Sequence, residues 1–199
     1  RNQKAVFDSI GITGPLSIYK PELGATPSNW AFPNKKYQTT EELYYSKKDF
    51  SKAEFDKLYA FGKAIGATIN DLLLTSFYRN MFKIAAPPTG EPGHIHITID
   101  LRKYLSERCP RAISNISAMV DIPLMSSEKE SFLDTIKRIK SIIHKRLEEK
   151  AEIQNIIGCE LIETKYSYKA MLSYFLNEWN IGKEMGICSP MLSNIGIIS

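Results

Sequence analysis

Histidine and cysteine are scarce in this chain, with three of each in 199 residues. Cys109, Cys159 and Cys188 lie far apart and form no CxxC pair. An odd number of widely spaced cysteines supports neither a disulfide framework nor a zinc site, and free thiols in a reducing cytosol are the plain expectation. No Gly-rich phosphate loop, GxSxG or HExxH motif is present. No secretory signal is visible, and the longest uncharged stretch, Met185 to Ser199, is too short to cross a bilayer and contains Pro190. No membrane span is therefore expected, and the localisation expected is cytoplasmic. There is no strong excess of either charge: 26 basic and 22 acidic side chains leave +4, with a pI near 8.8. That balance tolerates an anionic ligand without demanding one, and no nucleic-acid partner is expected.

What is present suits a globular domain. Hydrophobic residues make up 43% and charged residues 24%, and aromatic and aliphatic side chains recur along the length, so disorder is not the overall state. The size allows one sizeable domain or two small lobes around a shared core. The chain begins with Arg1 and ends at Ser199 inside an apolar run. Both ends read as cuts, which gives a piece of a longer protein as the expectation. An apolar strand left without its neighbour would promote self-association.

Residues 1–41 are rich in Pro, Gly, Asn and Ser and read as an irregular lead-in or linker, with Trp30 and Phe32 as its anchors. Residues 42–199 read as one α/β unit. Glu42 to Phe50 carries β propensity and suggests an edge strand. Ser51 and Glu54 form a capping box for a helix with Phe55, Leu58, Tyr59 and Ile65 on one face. Gly66 ends it. Thr68 caps a second helix reaching about Ile84, whose Leu72, Leu73, Leu74 and Phe77 read as buried nearly all round. His94 to Leu101 alternates as a strand, with Ile95, Ile97 and Ile99 on one face and His94, His96 and Thr98 on the other. A further strand covers Ile116 to Leu124. A second capping box, Ser127 to Glu130, opens a long helix with Phe132, Ile136, Ile139, Ile143 and Leu147 inward. Helices near Ala151–Ile157 and Tyr166–Asn180 and a strand from Met191 to Ser199 complete a mixed sheet packed with helices.

His94 and His96 share one strand face, which suits metal ligation, but no Asp, Glu or Cys has a matching spacing. Polar strand residues are the plainer reading. His144 falls among Lys140, Lys145 and Arg146 on a helix face that reads as solvated, and the basic stretch Lys137 to Lys150 reads the same way. Asn115 opens a glycosylation sequon, which has no use without a secretory route.

One stretch is more specific. Gly66-Ala-Thr-Ile-Asn-Asp-Leu-Leu-Leu74 resembles the GxTxNDxLL segment of the chloramphenicol-acetyltransferase-like superfamily. That superfamily includes nonribosomal peptide condensation domains, alcohol acetyltransferases and wax ester synthase-like acyltransferases. Ile99-Asp-Leu-Arg102 is similar to its DLR element, Ile113-Ser-Asn-Ile-Ser-Ala-Met119 to its GN…SAM element, and Leu192-Ser-Asn-Ile-Gly196 to its SNxG strand. All four follow in the family's order, between about Glu42 and Ser199.

The resemblance implies a two-layer lobe of helices on a mixed sheet beside a tunnel. It implies acyl transfer from a coenzyme A or phosphopantetheine thioester, presented as acyl-CoA or on an acyl-carrier protein, to a small-molecule alcohol or amine. The donor would come and go, with no permanently bound cofactor. The family's general base is a histidine in HHxxxDG. This chain has no HH pair and no HxxxD, and the downstream DFGWG element is missing too. The chain is thus expected to supply tunnel wall and donor surface, with no catalytic residue and no metal, and to be inactive alone. The other reading is a non-catalytic module that docks a carrier protein or partner. Ser114, Asn115, Ser193 and Asn194 match positions near the family's tunnel and are the candidate substrate contacts. Asn70 and Asp71 read first as helix-terminus residues, and Asp100 and Arg102 as an ion pair bracing the sheet.

Overall fold

In a computed structural model, the structure describes residues 2–12, Trp30, 45–105, 116–127, 129–185 and 190–194. Phe32, Ser114 and Asn115, named above, lie outside them. The described residues form a mixed α/β structure built on a three-stranded sheet of order β2-β1-β3. The helices are α1 (Asn2–Ser9), α2 (Lys52–Ala64), α3 (Ile69–Ile84), α4 (Phe132–Glu148), α5 (Ala151–Lys165) and α6 (Tyr168–Met185), and the strands are β1 (Gly93–Asp100), β2 (Ser117–Leu124) and β3 (Met191–Leu192). β2 runs antiparallel and β3 parallel to β1. No helix among the described residues is long and apolar enough to cross a membrane.

Strand alternation decides which face is covered. Ile95, Ile97 and Ile99 of β1 pair with Ile122, Val120 and Ala118 of β2, so one face of the sheet is continuously apolar. α3 covers it with Leu74, Tyr78 and Met81, α4 with Ile139, and α5 with Ala151, while Ile153, Ile156 and Ile157 of α5 close a second cluster around Ile116 and Ala118. The inward stripe of α4 behaves as its spacing predicts, with Ile136 and Ile139 buried and Phe132, Ile143 and Leu147 half-buried.

Tyr78 ties helix to sheet. Its hydroxyl accepts the Ile95 N–H at 2.9 Å and donates to the Ile122 carbonyl, so one atom holds β1 and β2 together. Burial pushes its phenol far above the ordinary tyrosine value. The Ile95 hydrogen bond opposes that shift and the Asp121 charge adds to it. The proton is therefore held at any working pH. Tyr78→Phe removes the bridge and strands a buried donor and acceptor, so a loss of about 2 kcal/mol is expected. Urea unfolding should show a lower midpoint at unchanged slope. A change below about 0.5 kcal/mol, the size of a surface substitution, would rule the bridge out.

The helix ends follow their caps. The Ser51–Glu54 box of α2 and the Thr68–Asp71 box of α3 both form. Gly66 follows α2 at φ +65°, a conformation open to glycine. Hydrogen bonds from Ser51, backbone first and hydroxyl second, hold the exposed Glu54 carboxyl below the ordinary glutamate value, against a small opposing effect of burial. A depressed folded pKa means the unfolded chain binds the proton more readily. The contribution of Glu54 is thus complete above about pH 4.3 and lost as pH falls through its folded value. Side-chain NMR titration should place its midpoint below an exposed glutamate's, with fraying of α2 in parallel. An ordinary midpoint would contradict the box.

Several elements depart from their sequence expectations. Asn2–Ser9 is helical within the stretch read as irregular, and Val6 and Phe7 bury against Leu101 and Ile116. Residues 45–50 are exposed and form no strand, because no described strand offers them a partner. Ser131, not Ser127, caps α4, accepting the Asp134 N–H at 3.1 Å. Glu130 turns instead to Arg138 at 2.8 Å. Leu73 is exposed although Leu72 and Leu74 are buried, so α3 has an open side. α2 turns its apolar stripe to solvent and buries only Gly62, whose missing Cβ lets the helix approach Ala67 and Leu72. α5 runs to Lys165, beyond Ile157, and the final strand is two residues long among those described.

Candidate functional site

The Thr68 cap places the first turn of α3 at the edge of the sheet. Asp71 is buried there and accepts the Thr68 N–H at 2.8 Å, while its own N–H donates to Thr68 Oγ1 at 3.1 Å. Its carboxylate thus serves the helix terminus. Asn70, one residue before, is exposed, and its Oδ1 accepts a hydrogen bond from Asn194 Nδ2 at 2.8 Å. That contact joins positions 124 residues apart. β3 delivers Asn194: Met191 and Leu192 pair with His96 and Ile97, and the Pro190 carbonyl accepts the His96 N–H at 3.0 Å. Ser193 follows, with its hydroxyl 3.2 Å from that of Thr98.

Asn70, Asn194, Ser193 and Thr98 therefore form one polar ridge across the start of α3, the end of β3 and the last third of β1. None of the four titrates near neutrality. The ridge can donate to and accept from an amide or carbonyl, but it cannot carry a proton between substrates. Asp100, just beyond Thr98, caps the 3-10 turn Leu101–Tyr104. It accepts the Arg102 N–H at 2.9 Å and the Arg102 Nη1 at 3.1 Å, and both side chains are exposed. This is a local brace.

The polar face of β1 continues from Thr98 to His96 and His94. Register sets Asp121 of β2 opposite His96. Its Oδ2 lies 2.7 Å from His94 Nδ1 and its Oδ1 lies 4.0 Å from His96 Nε2. The short contact calls for a proton on Nδ1 of His94. Sequence spacing missed Asp121 because it reaches the histidines across the ladder. The alternation of Ile116–Leu124, which sets Asp121 opposite the buried Val120 and Ile122, was the available signal. Among the described residues no group of three or more His, Cys, Asp or Glu is placed to hold a metal ion. The histidine pair is braced by a carboxylate.

A second polar cluster also escaped sequence reading. Glu152, in the first turn of α5, is fully buried, and its Oε1 accepts from Tyr104 Oη at 2.7 Å and Lys103 Nζ at 3.0 Å. Burial, then the hydrogen bond to Glu152 and its charge, push the Tyr104 phenol well above its ordinary value. Cys159 is the described cysteine. Burial, then the Glu163 charge, push its thiol up, which opposes thiolate chemistry at neutral pH. His144 sits exposed on α4, 3.6 Å from Glu148. Along that helix Lys137 meets Asp134, Lys145 and Arg146 meet Glu149, and Lys140 donates to the Gly66 carbonyl. No protein-family model, curated protein or solved structure matches this chain.

Proposed function

We propose that this chain is part of an acyltransferase that moves an acyl group from a coenzyme A or carrier-protein thioester to an alcohol or amine. In this reading it belongs to the chloramphenicol-acetyltransferase-like superfamily and forms tunnel wall and donor surface, while the catalytic histidine comes from elsewhere. One observation carries the proposal: the 2.8 Å hydrogen bond from Asn194 to Asn70. It joins two motif segments that the resemblance links and that lie far apart in the chain. The adjoining Thr98 and Ser193 hydroxyls extend the same ridge. A pantetheine arm carries two amides, and a row of side-chain amides and hydroxyls is matched to them.

The 199-residue chain should release no thiol from acetyl-CoA above background. S-acetylpantetheine should shift the backbone resonances of Asn70, Thr98, Ser193 and Asn194, and Asn194→Ala should weaken that binding about fivefold, the loss of one hydrogen bond. Thioester turnover by the chain alone would refute the assignment of the base to another segment. Resonances that do not move would refute the ridge as donor surface.

The exposed apolar side chains of α6, including Tyr168, Phe175, Leu176 and Trp179, favour a second reading. In it the chain is a docking module for a carrier protein or partner. Transfer activity on adding a histidine-bearing segment separates the two: it supports the enzyme and removes the module.

A further inference from the structure

On the far side of α3 from the ridge, the end of β2 and the start of α4 enclose an open cleft of about 310 Å³. Phe82, Leu124 and Met125 line its apolar part, and Arg79, Lys83, Ser126, Ser127 and Thr135 its polar part. The hydrogen-bond accounting of these side chains is one-sided. Arg79 spends Nη1 on the Glu130 carbonyl and Thr135 Oγ1, both at 3.0 Å. Its Nε and Nη2 donate to no acceptor among the described residues, which leaves three N–H groups. Among the described residues Lys83, one helical turn further along, makes no ion pair, and the Ser126 and Ser127 hydroxyls make no hydrogen bond. Among the described lining residues the carboxylate is Glu130, which is committed to Arg138 at 2.8 Å and to the Thr135 hydroxyl at 3.2 Å. Arg79, Lys83, Arg138 and Glu130 together carry a net positive charge.

We infer that this cleft is a binding site for a phosphate group. A guanidinium fork and an ammonium on α3, with two hydroxyls on the loop after β2, line one cleft and supply more donors than the two oxygens of a carboxylate can use. A phosphate dianion has three terminal oxygens to receive them. The apolar lining favours an ester whose organic part rests on Phe82 and Met125. Free phosphate would use the polar half alone. The site is independent of the acyl-transfer reading: it shares no residue with the Asn70–Asn194 ridge.

The test uses the full 199-residue chain, titrated at pH 7.5 with inorganic phosphate, phenyl phosphate and benzoate while backbone resonances of the cleft are followed by NMR. Saturable shifts at Lys83, Ser126 and Ser127 are expected with both phosphates below about 10 mM. Tighter binding of phenyl phosphate identifies an ester as the natural source, and equal binding identifies free phosphate. Lys83→Gln, at an exposed position with no ion pair among the described residues, should weaken binding about tenfold without altering the fold. Arg79→Lys keeps the charge, loses the fork and should weaken binding similarly, with its amide spectrum checked for the loss of the Glu130 and Thr135 contacts. Affinity should also fall below about pH 6 as the dianion takes up a proton. Absence of saturation, benzoate binding as well as the phosphates, or equal affinity in wild type and both variants would overturn the inference.

Discussion

Gly93→Ala is expected to destabilise the protein by about 3 kcal/mol, the upper part of the range for overpacking a core. In general, replacing glycine by alanine stabilises a compatible position by about 0.4–1 kcal/mol through the unfolded chain. Here the contact decides the sign. A Cβ on Gly93 would fall within 2.5 Å of two carbons of the Trp30 indole. That ring is held on several sides. It is 2% exposed, packs on Tyr78 and Phe82 with centroids 6.2 and 5.2 Å away, and donates its Nε1–H to the His94 carbonyl at 2.8 Å. A bulky, rigid indole cannot yield as a flexible chain end would. The alanine must expel it, which exposes a large apolar surface and opens the core. The melting temperature should fall by about 10 °C. Trp179, 70% exposed, supplies the contrast: in a Trp179→Phe background the remaining emission should shift to the red in Gly93→Ala. An unchanged melting temperature with unchanged emission would show that Trp30 does not occupy this seat.

The second large effect is expected at Lys103. Removing one partner of a buried ion pair costs about 3–5 kcal/mol when the other charge is stranded. Glu152 is 0% exposed, but the Lys103 side chain is 41% exposed, so water and screening reduce what the pair contributes. Lys103→Met should therefore cost about 2 kcal/mol. Tyr104 would remain as the donor to Glu152, at 2.7 Å. Lys103→Met combined with Glu152→Met removes both charges and should recover much of the loss. The coupling in a double-mutant cycle from urea unfolding is the decisive measurement. Additive single effects would mean that Lys103 and Glu152 do not act as a pair.

The two sites differ in how much of them could be read in advance. The motif segments around Asn70 and Asn194 were recognisable as short strings, and so were the caps at Ser51 and Thr68, because a cap needs only its neighbours within one turn. The contact between Asn70 and Asn194 was not recognisable, since nothing local fixes where β3 returns. The phosphate cleft was invisible for the same reason: Arg79 and Lys83 are ordinary surface residues of a helix until the end of β2 arrives beside them. α1 was hidden by the prolines that follow it, although residues 2–9 contain no helix breaker, and its burial of Val6 and Phe7 is a tertiary event. Residues 45–50 of the expected strand failed in the opposite way, with β propensity present and no partner edge among the described residues to satisfy it.

By itself, the order of residues determined the periodicities and the breaks. A 3.6-residue stripe made α4, a two-residue alternation made β1 and β2, and local hydrogen-bonding side chains set the starts of α2 and α3. It also shows directly that no HHxxxDG string occurs in these 199 residues. Tertiary structure alone decided the contacts that carry charge and shape. These are Asp121 beside His94, Glu152 hydrogen-bonded to Lys103 and Tyr104, Trp30 in the seat left by Gly93, and the donors that line one cleft with Arg79. The reason is that local preferences act over one turn or one pleat. Those contacts depend on strand register and on the packing angles of helices over the sheet, which only the burial of the whole apolar face selects.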